Sequence, residues 1–227
     1  MNFLSRLFGK KNIMADITII GTGNMARGLA ARALAGGNSV QILAHGDKAK
    51  ADALAAEFTG PVSTGVLGDA ITGSIVIPAV YFDAAKDIVA RYGRSLDGKV
   101  YVDITNPVDF STFEGLSVPA GSSAAEELQK ATGAKVVKAF NTTFAAALGE
   151  GKVAGQPLDV LVAGDDDDAV AAVGAFASAA GLTPIMVGPL RRARQLEQTG
   201  FLNILLSANE QLPQFQWNSA LRFVPAA

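Results

Sequence analysis

The 227-residue chain contains no cysteine and a single histidine, His45. A disulfide framework, a thiolate zinc centre and a cysteine nucleophile are therefore excluded, and a Ser-His-Asp triad has almost nothing to draw on. Charge is sparse as well. Asp, Glu, Lys and Arg make up 18% of the residues, below the usual quarter, so a large buried core is expected. The net charge of −2 implies no basic face, so no nucleic-acid partner is expected. No apolar run approaches the roughly 18 residues of a membrane span. The opening MNFLSRLFGKKN has too short an apolar stretch, and no small-residue cleavage site, to read as a signal peptide. It places Phe3, Leu4, Leu7 and Phe8 on one helical face, flanked by Arg6, Lys10 and Lys11. That suits packing on a neighbouring subunit or weak attachment to an anionic membrane surface. Residues 1–13 are set apart as an N-terminal extension, and a cytoplasmic homodimer is expected.

Hydrophobic residues, by contrast, make up 49% of the chain, and they come in short runs. Strands are expected at residues 17–20, 40–44, 62–64, 74–80, 98–107, 134–140, 158–164 and 183–189. Helices are expected over 24–35, 47–58, 81–92, 124–131, 169–180 and 191–210. The strands are apolar on both faces and alternate with helices, which predicts an α/β fold with a mostly parallel, doubly wound sheet of about eight strands. Residues 14–227 are expected to form one Rossmann-type NAD(P)-binding domain. Within it, 14–150 would be the dinucleotide-binding core, and 151–227 a small C-terminal α/β part completing the sheet and the acceptor site.

Gly21-Thr22-Gly23-Asn24-Met25-Ala26 fits G-x-G-x-x-A between the first strand and the first helix. The first glycine permits the tight turn, the second lets backbone approach a pyrophosphate, and the alanine lets the helix pack on the strand. The free N–H groups at the helix start face the phosphates. After the second strand come His45 and Lys48, which suit the 2′-phosphate of NADP, with Lys50 close behind. Asp47 either binds a ribose or caps the following helix.

Ligands of open α/β sheets bind outside the carboxyl ends of the strands. Those ends carry Ile77, Pro78, Asn106 and Ala139, then Phe140-Asn141-Thr142-Thr143. None is an acid or base. Hydride transfer between two stacked rings needs positioning more than proton transfer, so no catalytic side chain is expected. The run Asp165–Asp168 reads as a helix start facing the positive end of the dipole, not as a metal site. Arg194 and Glu197 are spaced for an i,i+3 pair, while Arg191, Arg192 and Arg194 leave open a grip on an anionic cofactor tail.

The combination of GTGNMARGLA, SIVIPAVY, KVVKAFNTTFA, VLVAGDDDDAV, VGPLRRARQLEQ and the ending SALRFVP resembles the NADP-dependent reductases of coenzyme F420, the 5-deazaflavin. The resemblance implies NADP on the glycine turn, with its 2′-phosphate taken at His45 and Lys48; where the family usually has Ser-Arg, this chain has His45-Gly46. It implies the deazaflavin near Pro78, Asn106 and Phe140–Thr143. The best-known deazaflavin reductases resemble His-Thr-Ile-Pro at that last motif. Lys-Ala-Phe-Asn-Thr is instead similar to a wider branch that includes the flavin-using domain of membrane metalloreductases. The expected cofactor contacts are thus Gly21, Thr22, Gly23, Asn24, Met25, His45, Lys48, Ile77, Pro78, Asn106 and Ala139. The expected acceptor contacts are Phe140, Asn141, Thr142 and Thr143, and the acceptor is a deazaflavin, coenzyme F420, or a flavin. A non-catalytic NADP(H)-binding redox sensor or partner subunit stands as the alternative.

Overall fold

β1 (Ile17–Ile20) is buried at all four positions, which requires cover on both faces. A computed structural model describes residues 15–224 and 226, so the N-terminal extension lies outside the described residues. Beyond β1 the chain forms α1 (Asn24–Ala35), β2 (Val40–Ala44), α2 (Lys48–Ala55), β3 (Val62–Val66), β4 (Ile75–Pro78), α3 (Phe82–Tyr92) and β5 (Val100–Asp103). It continues with α4 (Ala124–Ala131), β6 (Lys135–Lys138), α5 (Ala145–Glu150), β7 (Lys152–Val153), β8 (Gln156–Pro157), β9 (Asp159–Gly164), α6 (Asp167–Ala179), β10 (Thr183–Gly188) and α7 (Ala193–Ala208).

Eight strands make one sheet in the order β10-β9-β6-β5-β4-β1-β2-β3, while β7 and β8 form a separate hairpin. The chain winds outward from β1 to β3 on one side and from β4 to β6 on the other. The winding reverses between β1 and β4, which opens a crevice there. All pairings from β3 to β6 are parallel, and the doubly wound α/β fold is as expected. β9 departs from that pattern: it pairs antiparallel to β6, through Val137 opposite Gly164 and Lys138 opposite Ala163. The intervening chain is α5 and the β7–β8 hairpin. β10 then returns parallel to β9.

The antiparallel turn places Asp165–Asp168 at the amino ends of β1–β6, away from the crevice. There Asp166 caps α6 by accepting from the Ala169 amide and pairs with Lys135 at 2.9 Å. The main core draws residues from both sides of position 150, from Ile17 to Leu182. α5, which the sequence pattern did not announce, packs on α1. A Cβ at Gly28 would stand 3.1 Å from the Ala145 carbonyl oxygen, so glycine there lets the two helices pack closely. Arg32 completes the contact, donating to the carbonyls of Gly149 (3.0 Å) and Ala180 (3.3 Å).

Candidate functional site

The glycine turn sits at the point where the winding reverses. Gly21 has φ +123°, and a Cβ there would lie 2.7 Å from the Ala79 carbonyl oxygen at the end of β4. Its role is met within the protein. Gly23 differs: its φ of −82° suits any residue, and a Cβ would touch nothing within 4 Å. The fold does not ask for glycine at 23, and the space above it is open. Gly23 caps α1, and no side chain closes off the amides of its first turn. An open cradle of backbone donors at a 12-residue helix is what an anion requires.

From this turn a chamber of about 410 Å³ runs along the ends of β4 and β5, between Gly23, Ala79–Tyr81 and Ile104–Asn106. It opens into a larger one of about 920 Å³, walled by Met25, Tyr81, Phe110, Phe144, Ile204 and Trp217. A volume of this size accommodates a cofactor-sized ligand. Tyr81 and Phe110 meet edge to face at 5.8 Å, as do Phe144 and Trp217 at 5.4 Å. Trp217 belongs to the chain after α7, which returns across the cleft, with Ala220 bridged to Thr143 and the Phe223 amide donating to Asp159.

The expected residues take different places. Asn24, Met25, Asn106, Phe140, Asn141 and Thr143 line the cleft, as does Gly23. Ile77 and Pro78 are buried within β4 and Ala139 is buried beyond β6, so Ala79, Val80 and Tyr81 form the wall in their stead. The Phe140 ring is fully buried and packs on Phe176 at 5.5 Å, while its φ of +62° is strained for a phenylalanine. The Phe140 carbonyl closes a turn by accepting from the Thr143 amide (3.2 Å) and hydroxyl (2.7 Å). Thr142 is buried, and its carbonyl accepts from Asn203 of α7. Beyond β2, Asp47 caps α2 by accepting from the Ala49 amide, which decides its structural role. His45 is exposed nearby. Lys48 donates to Thr64 at 2.8 Å and pairs with Asp52, whose carboxyl is lowered chiefly by that lysine.

Asn106 and Asn141 join β5 and β6 reciprocally. The Asn106 amide donates to the Asn141 carbonyl at 2.7 Å, and the Asn141 amide donates to Asn106 Oδ1 at 2.9 Å and to the Leu196 carbonyl at 2.8 Å. Asn141 Oδ1 and the Thr105 hydroxyl are buried with no partner among the described residues. Two unpaired polar atoms beside one cleft mark a place where a ligand's polar groups bear on the protein.

Sequence reasoning missed the ionic network beneath the cleft. Lys138 is fully buried, and its ammonium donates to Asp103 Oδ2 (2.8 Å), Glu197 Oε1 (2.8 Å) and the Thr105 carbonyl (2.5 Å). Asp103 Oδ1 accepts from the Thr105 amide, so both ends of that peptide residue are held from below. Glu197 also accepts from the Ala124 amide at the start of α4. Burial pushes the Glu197 carboxyl up from its ordinary value, with Lys138 opposing. The expected Arg194–Glu197 pair does not form: Glu197 turns inward to Lys138, and Arg194 makes a bidentate pair with Glu126. Arg191 and Arg192 stand in a 3-10 turn after β10 and are not among the residues that line the cleft.

Fold, glycine turn and strand-end cleft together define an α/β oxidoreductase of the Rossmann-like NAD(P)-binding class. Residues 16–107 match the family profile described as NADP oxidoreductase, coenzyme F420-dependent, and the chain belongs to this family. It is similar to a hypothetical protein of Sinorhizobium meliloti, at 31% identity, over 77% of this chain and 85% of that one, with a TM-score of 0.70. A proposed F420-dependent NADP reductase from an Arthrobacter species is 26% identical over 93% of this chain and all of that one, with a TM-score of 0.76. The metalloreductase STEAP3 of Rattus norvegicus is 31% identical over 182 residues. That match takes in 80% of this chain but spans only 35% of the metalloreductase. No helix among the described residues is long and apolar enough to cross a membrane.

Proposed function

We propose that the protein is an NADPH-dependent reductase that passes hydride to a deazaflavin or flavin ring, without a catalytic side chain. The observation that carries this reading is the composition of the cleft. Among the described residues whose side chains line it, only Arg27, Glu57 and Tyr81 ionise, and Arg27 and Glu57 are paired with each other. The tenancy of Gly21–Met25 by a pyrophosphate accords with the vacant space over Gly23 and the open amides of α1. The orphaned Thr105 hydroxyl and Asn141 oxygen suit a carboxamide or ring edge at the strand ends. His45 and Lys48 are the candidates for the 2′-phosphate, Lys48 by exchanging its Asp52 partner.

NADPH, when bound, supplies the hydride; the protein's task is to bring two flat rings together and keep water from between them. Met25, Ile104 and Ile204 provide the apolar walls, and the Asn106–Asn141 pair fixes the ends of β5 and β6. Water supplies the proton that completes the reduced ring. A homodimer in the cytoplasm remains part of the proposal, tested by sedimentation.

Purified protein with NADPH and, in turn, coenzyme F420, FMN and FAD tests the reading by loss of nicotinamide absorbance. Turnover with at least one ring is expected, and Tyr81→Phe is expected to retain it. Absence of turnover with every ring contradicts the proposal. So does a loss of more than about 100-fold in Tyr81→Phe, which would mark a proton donor for a carbonyl or imine instead.

A further inference from the structure

The larger chamber continues from its aromatic walls over the seam of α1 and α5. Its floor there is Gly28, Ala31, Ala145, Ala146 and Gly149, residues with no polar side chain. Among the described residues, two charged groups line this chamber, Arg27 beside Gly28 on α1 and Glu57 beyond α2. They are bound to each other in a fork: Arg27 Nε donates to Glu57 Oε2 at 2.7 Å and Nη2 to Oε1 at 2.9 Å. The third nitrogen, Nη1, donates to Asn24 Oδ1 at 2.9 Å. Every nitrogen of the guanidinium is thus engaged, and the planar fork that would otherwise fit a phosphate is filled by a carboxylate. The pair favours its charged form on both sides, with Arg27 raised and Glu57 lowered by their mutual hydrogen bonds.

We infer that Glu57 is a specificity-determining residue: by holding Arg27 it leaves the cleft indifferent to the acceptor's tail, so that the site reads a flat flavin-type ring and takes its phosphorylated and unphosphorylated forms alike. The inference rests on the reading of this cleft as the acceptor site. The walls that grip are aromatic and apolar, and they meet only the ring. Among the described residues that line it, the seam that would carry the tail offers neither a free cation nor a side-chain donor. An anion entering it must displace Glu57 from a bidentate pair, and gains little by doing so.

The test is binding of riboflavin, FMN and FAD to the full chain in the presence of NADP+, followed by quenching of flavin fluorescence, in the wild type, Glu57→Gln and Arg27→Gln. The three wild-type Kd values are expected to agree within about fivefold, the range of an exposed charge contact. Glu57→Gln frees the fork and is expected to favour FMN over riboflavin by about tenfold or more. Arg27→Gln is expected to keep the wild-type ratio. A wild-type preference for FMN above about tenfold that vanishes in Arg27→Gln overturns the inference, because Arg27 would then be gripping the phosphate. An unchanged ratio in Glu57→Gln overturns it too, as does failure of all three flavins to bind. Flavins that bind but accept no hydride from NADPH contradict the proposed reductase activity, while their Kd ratios still decide the role of Glu57.

Discussion

Lys138 Nζ lies 2.8 Å from Glu197 Oε1, and neither side chain has any solvent exposure. The contact ties the last long helix to the strand that ends at the cleft, and through Asp103 and the Thr105 carbonyl it reaches the cleft wall itself. A buried cation with two carboxylates is costly to leave incomplete. Lys138→Met is therefore expected to lose about 3–5 kcal/mol of stability in urea denaturation. The double substitution Lys138→Met with Glu197→Gln is expected to recover part of that loss, because one of the stranded charges is gone. A cost below about 1 kcal/mol for Lys138→Met would contradict the network.

The same glutamate gives a pH dependence of defined sign. Burial raises its carboxyl above the ordinary 4.5. A raised folded-state value means that the folded state holds the proton more tightly than the unfolded chain. The Glu197 contribution is thus fully present below pH 4.5 and is lost as pH rises through the folded value. Carboxylates lowered by partners, such as Glu126 beside Arg194, act in the opposite sense. The wild type must therefore be compared with Glu197→Gln, pH by pH. The stability of the wild type minus that of the variant is expected to fall as pH rises above 4.5. A constant or rising difference would contradict the assignment.

The outline of the fold was legible because it rests on local signals. Val40–Ala44 and Asp159–Gly164 are short apolar runs, Gly36 stops α1, and Ser123 caps α4. Where distant residues decide, the sequence was silent. Lys138 reads as one of two lysines in an otherwise apolar strand, yet its carboxylate partners stand 35 and 59 positions away. Glu197 lies at helical spacing from Arg194, but a buried lysine competes for it and wins. α5 is six residues long, too short for a periodic pattern, and it exists through its packing on Gly28. The glycine turn was read correctly as a turn, but the different reasons for its two glycines emerge only from the neighbouring atoms.

Those reasons separate fold from binding. Gly21→Ala puts a side chain at a positive φ against the Ala79 carbonyl and is expected to cost about 1–3 kcal/mol of stability. Gly23→Ala meets no protein atom and is expected to change stability by no more than about 0.5 kcal/mol. It fills the space over the helix amides, so NADPH binding by calorimetry is expected to weaken by about tenfold or more. Unchanged NADPH affinity in a well-folded Gly23→Ala protein would remove the pyrophosphate from this turn.

Replacing His45 and Lys48 together by Ala is expected to weaken NADPH by roughly 1–3 kcal/mol and NADH much less. Titration of both nucleotides against the variant checks this. Equal weakening of both would show that the 2′-phosphate lies elsewhere.

The account turns on direct passage of hydride across the cleft, and isotope transfer tests that directly. The purified protein would be given NADPH carrying two deuterium atoms at nicotinamide C4, with a 5-deazaflavin as acceptor, and the product weighed by mass spectrometry. A carbon-bound hydrogen at C5 of the deazaflavin does not exchange with water, so the reduced ring is expected to carry one deuterium. A reduced ring without deuterium would contradict the account, as would failure to reduce either the deazaflavin or a flavin.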